Sequence, residues 1–191
     1  MKLSIERGTL LKAVSQAQSV VERRNTIPIL ANVLIEAEGN TVTFRATDLD
    51  IEVLDKAPAQ VERAGSTTVS AVMLHEIVRK LPDGSLVTLS DDSATGRLSV
   101  QAGRSHFNLA TLPKEDFPVM ASSDYASNFS APAGVLRRLF DKSKFAISTE
   151  ETRYYLNGVY MHVADGEGGK VLRCVATDGH RLARIDAPLP A

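Results

Sequence analysis

The sequence predicts an α+β fold in which a module is used more than once, each module carrying two helices on one face of largely antiparallel sheets. Three observations predict it. The chain repeats its own order of elements. Apolar residues recur at helical spacing in three segments. Elsewhere apolar and polar residues alternate with the period of a half-buried strand.

The elements follow in chain order. Leu10, Val14, Ala17 and Val21 are spaced 4, 3 and 4 and form one apolar face of a first helix. Val33, Ile35 and Ala37 alternate, as do Val42, Phe44 and Ala46, and "AEGN" (37–40) is the turn between those two strands. "TTVSA" (67–71) reads as a short strand. Ser70 is placed to cap a helix carrying Leu74, Ile77, Val78 and Leu81, which Pro82, Asp83 and Gly84 stop. Three strands follow in "LVTLS" (86–90), "RLSVQA" (97–102) and "HFNLATL" (106–112). The small and polar stretch "PVMASSDYASN" (118–128) reads as a linker.

Beyond it the pattern starts again. With Ser130 placed under Ser4, "LSIERGTLLKAV" (3–14) lies over "FSAPAGVLRRLF" (129–140), and Gly8 and Leu10 meet Gly134 and Leu136. The same offset puts "ILANVLIEA" (29–37) over "YLNGVYMHV" (155–163). After a short insertion in "DGEGGK" (165–170), "RATD" (45–48) meets "VATD" (175–178). In the second copy Val135, Leu136, Leu139 and Phe140 carry the helix stripe, with Ser130 as N-cap and Pro132 in the first turn. The domains expected are a first module over 1–123 and the first half of a second over 128–191, as in a fragment of a longer protein.

Composition narrows the function. Of 191 residues, 43% are hydrophobic and 24% charged, an ordinary globular balance. No apolar run reaches the roughly 18 residues that span a bilayer, and "MKLSIERG" turns charged at once, unlike a signal peptide. Cys174 is the single cysteine, which fits a reducing cytoplasm and provides neither a disulfide nor a cysteine-based zinc site. The net charge of −1 requires that any nucleic-acid surface be made by local clustering. Arg137, Arg138, Lys142 and Lys144 cluster in this way on the second-copy helix against Asp141; Arg79 and Lys80, and Arg23 and Arg24, add to the basic total. Aromatic residues make up 5% with no Trp, so backbone contact to a duplex is favoured over base stacking.

"TDLD" (47–50) and "TDGH" (177–180) raise a second possibility, a metal-dependent hydrolase using Asp178 and His180, with Asp48 and Asp50 as further oxygen donors. A Thr-Asp pair after a strand more often turns the backbone by bonding its own amides. Asp48 and Asp178 occupy equivalent repeat positions, which points to a shared structural task. The copies diverge immediately afterwards: Gly179, His180, Arg181 and Leu182 replace Leu49, Asp50, Ile51 and Glu52. With Leu156, on a strand expected to pair alongside, they suggest a shallow groove suited to an extended peptide. His75, His106 and His162 are scattered and read as surface or strand-face residues.

"NTIPILANVLIEA", "ATDLDIEV", "FNLATLP" followed by "DFP", "TRYYLNGV" and "ATDGHRLA" occur in this order. In them the whole chain resembles the bacterial DNA polymerase III beta subunits, the DNA sliding clamps. The resemblance implies a non-enzymatic processivity factor of DNA replication: a head-to-tail homodimeric ring of six similar modules, three per subunit. The ring has a basic helical inner wall and encircles duplex DNA without reading sequence. It implies a peptide-binding pocket matching Leu156, Thr177, Gly179, His180, Arg181 and Leu182. That pocket would accept Gln-Leu-x-Leu-Phe motifs from the DNA polymerase III alpha subunit, the clamp loader and repair proteins. It implies DNA contacts at Arg24, Tyr154 and Tyr155, to which the charge pattern adds Arg137, Arg138 and Lys142. No cofactor, metal or catalytic residue is implied, and the location is cytoplasmic.

Overall fold

The computed structural model describes residues 1–21, 27–92, 95–119 and 129–190. Arg23, Arg24 and most of the expected linker (120–128) lie outside the described residues. The chain divides into two compact units, Met1–Ser122 and Ser123–Ala191. The fold is α+β, with every strand pairing antiparallel.

In the first unit β1 (Lys2–Glu6) leads directly into α1 (Arg7–Val20). Glu6 makes the transition: its carboxylate accepts from the N–H groups of Gly8 and Thr9 at 2.7 and 2.8 Å, satisfying two donors that a helix start leaves open. Those same amides are the main reason its carboxyl is held below the ordinary carboxylate range. β2 (Asn32–Glu38) and β3 (Thr41–Thr47) form the expected hairpin, and β4 (Glu52–Pro58), β5 (Gln60–Arg63) and β6 (Gly65–Ser70) follow. Ser70 Oγ caps α2 (Ala71–Lys80) by accepting from Met73 N–H. The unit closes with β7 (Leu86–Asp92), β8 (Arg97–Ala102) and β9 (Ser105–Ala110).

The strands make a four-stranded sheet, β4-β3-β2-β6, and a five-stranded one, β5-β1-β7-β8-β9. One core joins both sheets to both helices through Leu3, Ile5, Leu10, Val14, Ile35, Phe44, Leu74, Val78 and Leu89. Each large side chain removed from water there contributes ~1.5–3 kcal/mol. Arg7 locks the helix pair: Nε and Nη2 donate to the Val78 and Arg79 carbonyls at 3.0 and 2.7 Å, and Nη1 to Asp83. The cation thus sits where the C-terminus of α2 leaves carbonyls unpaired.

The second unit holds α3 (Ala133–Ser143) and the sheet β10-β11-β12, formed by Tyr160–Gly166, Gly169–Thr177 and Leu182–Pro188. Leu139, Leu172 and Cys174 form its main core cluster, flanked by Val135, Leu136 and Ile185. Burial raises the Cys174 thiol above its ordinary pKa. Three sequence expectations need correction. Ser130 does not cap α3; the N-cap is Pro132, with no side-chain cap bond, and the Pro132 carbonyl takes the first amide, from Val135, at 2.9 Å. Phe140 is exposed rather than buried, because the strands beneath α3 reach only the Leu139 side of its apolar stripe. Leu156 is not on a strand: it ends a 3₁₀ turn, Glu151–Leu156, as its repeat counterpart Leu30 lies in the 3₁₀ turn Pro28–Ala31. A short apolar run cannot distinguish these states by periodicity.

Candidate functional site: an exposed Thr-Asp turn and the segment behind it

The turn linking β11 to β12 is built by two side chains. The Thr177 hydroxyl donates to the Arg181 carbonyl at 2.7 Å and accepts from Gly179 N–H at 3.1 Å. Asp178 Oδ1 accepts from the amides of His180 and Arg181 at 3.0 and 2.9 Å, while Oδ2 accepts from Arg181 Nε at 2.9 Å. The Arg181 and His180 amides and then the guanidinium hold the Asp178 carboxyl down at about 2. Gly179 sits at φ +88°, a conformation that disfavours any side chain.

The hydrolase reading is not supported by this geometry. Both Asp178 oxygens are turned inward onto the backbone and Arg181, so the carboxylate shapes the loop. Among the described residues, no three His, Cys, Asp or Glu side chains gather as a metal-binding group.

The turn projects Gly179, His180, Arg181 and Leu182 outward, and Leu182 is 64% exposed. Thr177 is half-buried as the hinge, and so is Leu156 at the end of its 3₁₀ turn. Tyr154 and Tyr155, 78% and 71% exposed, precede Leu156 and meet edge to face with ring centroids 5.8 Å apart. The segment is closed at its base by Ser148 N–H donating to the Leu156 carbonyl at 3.1 Å.

Two neighbours had not been singled out from the sequence. Phe145, exposed, carries the Arg181 guanidinium 5.8 Å from its ring centroid, within reach of a cation–π contact. Arg153 donates from Nη1 to the Asp178 carbonyl at 3.2 Å and pairs through Nε with Glu150 at 2.9 Å. Neither contact has a local signature; the only hint is that a glycine replaces the leucine of the first copy at position 179.

The basic side chains of α3 form a separate feature. Arg137, Arg138 and Lys142 all point to solvent, but Asp141 takes Arg137 at 3.5 Å and Lys144 at 2.7 Å. Lysine and arginine accordingly hold Asp141 below the ordinary carboxylate range. Arg138 and Lys142 have no ion pair among the described residues. No helix among the described residues is long and apolar enough to cross a membrane.

An antiparallel module whose strand, helix and Thr-Asp turn recur in the second unit, with helices packed against the sheets, defines a modular scaffold. Two family descriptions match it in succession: "DNA polymerase III beta subunit, N-terminal domain" over residues 1–121, and "DNA polymerase III beta subunit, central domain" over 131–191. The chain belongs to the DNA polymerase III beta subunit family. It is 57% identical over 190 residues to the "Beta sliding clamp" of Caulobacter vibrioides, covering 100% of this chain and 51% of that protein. The crystal structure of the DNA polymerase sliding clamp from Caulobacter crescentus superposes with a TM-score of 0.94 at 57% identity, over 100% of this chain and 51% of that one. The Bartonella birtlesii sliding clamp, bound to griselimycin, gives 0.94 at 48%, over 100% and 50%. The chain thus spans about half the length of the curated relatives it matches.

Proposed function

We propose that this chain is the N-terminal half of a DNA sliding clamp subunit, a processivity factor of DNA replication rather than an enzyme. Its two units correspond to the N-terminal module and the start of the central one. In the whole protein, two subunits form a ring around duplex DNA without reading its sequence. The ring tethers the replicative polymerase, its clamp loader and other motif-bearing proteins in the cytoplasm. Leu156, Thr177, Gly179, His180, Arg181 and Leu182 receive a short Gln-Leu-x-Leu-Phe type peptide. Tyr154, Tyr155, Arg138, Lys142 and, less freely because of Asp141, Arg137 face the DNA, with Arg24 as a further contact.

The observation that carries this reading is the divergence between two identically built turns. Only the second, in a chain matched end to end by clamp relatives, presents a glycine floor beside an exposed Leu182 and a histidine–arginine edge. This suits main-chain recognition with one apolar anchor.

Fluorescence anisotropy with a labelled Gln-Leu-Ser-Leu-Phe peptide tests the site. Leu182→Asp, and the pair His180→Ala with Arg181→Ala, are expected to weaken binding at least about tenfold with the circular dichroism unchanged. Equal affinities would place the peptide elsewhere. On DNA, Arg138→Ala with Lys142→Ala should flatten the salt dependence by about two units of slope whatever the duplex sequence; a sequence-specific footprint would overturn the clamp reading.

A further inference from the structure

The segment bearing Tyr154 and Tyr155 is not one regular turn. Arg153, at φ −110° and ψ 44°, breaks the 3₁₀ run Glu151–Leu156 in two. The break sends its guanidinium across to a strand connection 25 residues further along the chain. There Nη1 bonds the Asp178 carbonyl at 3.2 Å while Nε stays on Glu150 at 2.9 Å. A Cβ placed on Gly179 would stand 3.1 Å from the same Nη1. A side chain at position 179 would therefore press on the Arg153 guanidinium and displace it by a few tenths of an ångström.

Asp178 is held from both sides: its carbonyl by Arg153, its carboxylate by the amides of His180 and Arg181 and by the Arg181 guanidinium. The planar fork of arginine can hold two acceptors in fixed directions, which a lysine ammonium on a flexible stem cannot do.

We propose that Arg153 is a positioning residue: a strut that sets the height of the 177–182 turn and couples it to the Tyr154–Tyr155 segment. A ligand seated on one surface then biases the other, and the coupling is reciprocal. The mechanical part stands on the contacts alone; its consequence for peptide binding rests on the peptide-site reading above.

Amide hydrogen exchange and tyrosine-ring NMR on the 191-residue chain test the strut without any ligand. Arg153→Ala should speed exchange at Gly179, His180 and Arg181 about tenfold, the scale of one charge-assisted hydrogen bond, while β11 and β12 stay protected. Arg153→Lys should restore the turn only in part. In the native chain Gly179→Ala should shift the Tyr154 and Tyr155 ring signals; with Arg153→Ala in the background it should not. Native exchange rates in Arg153→Ala would overturn the proposal. If that variant loses the sheet's protection, the Gly179→Ala experiment decides alone, and unmoved tyrosine signals would overturn it. Affinity for the Gln-Leu-Ser-Leu-Phe peptide, about tenfold weaker in Arg153→Ala, is read separately. A native chain that ignores the peptide but shows the tyrosine response removes the peptide site and leaves the strut standing.

Discussion

The turns at 47–51 and 177–181 share a frame and differ in cargo. In the first, the Thr47 hydroxyl donates to the Ile51 carbonyl at 2.8 Å and accepts from Leu49 N–H at 3.0 Å. Asp48 Oδ1 takes the amides of Asp50 and Ile51 at 3.0 and 2.7 Å. Each bond has its counterpart in the second turn, within a few tenths of an ångström. Both third positions lie in the left-handed region, Leu49 at φ +85° and Gly179 at φ +88°. Thr-Asp therefore builds the turn, and the residues after it are free to vary. The first copy tolerates a strained, half-exposed leucine there. In the second, glycine avoids the strain of a positive φ and leaves the Arg153 guanidinium undisturbed, since a Cβ there would stand 3.1 Å from its Nη1.

The largest effect should come from breaking the glycine. Gly179→Val puts a β-branched side chain at positive φ against Arg153 and is expected to cost ~2–3 kcal/mol in urea unfolding of the second unit. Leu49→Ala, at the matching position, should stay within about 0.5 kcal/mol, since the backbone strain is already present. An equal loss for Gly179→Val in an Arg153→Ala background would deny Arg153 its steric role. Next come the threonines. Thr47 is buried, and Thr47→Val removes the acceptor of the Leu49 amide and one of the two donors on the Ile51 carbonyl, at ~1–3 kcal/mol. Thr177 is closer to water, so Thr177→Val should cost less, ~0.5–1 kcal/mol; the reverse order in thermal melts would overturn the burial argument.

Leu49→Gly should be neutral or stabilising by up to ~1.5 kcal/mol, strain relief of ~1–2 offset by ~0.5–1 of added chain entropy. A clear loss would mean that the leucine side chain, 50% exposed, packs to more effect than its exposure indicates. The smallest signal is protonic. The Asp178 carboxyl, held at about 2, lies below its unfolded value of ~3.9, so its stabilising contribution is complete above about pH 4 and is lost as pH falls from there to about 2. Carboxyl NMR should show that midpoint. Arg181→Ala should raise it toward that of Asp48, which is also lowered, chiefly by the Ile51 amide, but has no arginine on its carboxylate. A midpoint near 4 in the native chain would mean that the amide bonds do not persist in solution.

The same contrast extends to whole strands. β2 is interior, between β3 and β6, and nearly all buried, whereas β10, its repeat counterpart, pairs only with β11 among the described residues and exposes Tyr160, Met161 and Val163. Alternation marked both stretches equally, because pattern reports which residues could face a core and not what covers them. Ser70 was legible as a cap because one serine stood directly before a helical stripe. Ser130 was misleading because the helix is entered two residues later, with Pro132 as its N-cap.

The sequence by itself determined the modular repeat, the helices and strands with clear period, and the Thr-Asp turns, since each depends on residues within a few positions of one another. It also determined that Gly-His-Arg-Leu is where the second copy departs from the first. Only the tertiary structure decided that Leu156 ends a 3₁₀ turn, that Arg153 braces the Asp178 carbonyl, and that Arg181 lies over Phe145. Those contacts join segments 25 or more residues apart. Local periodicity has no term for them, because the chain between must fold before the groups can meet.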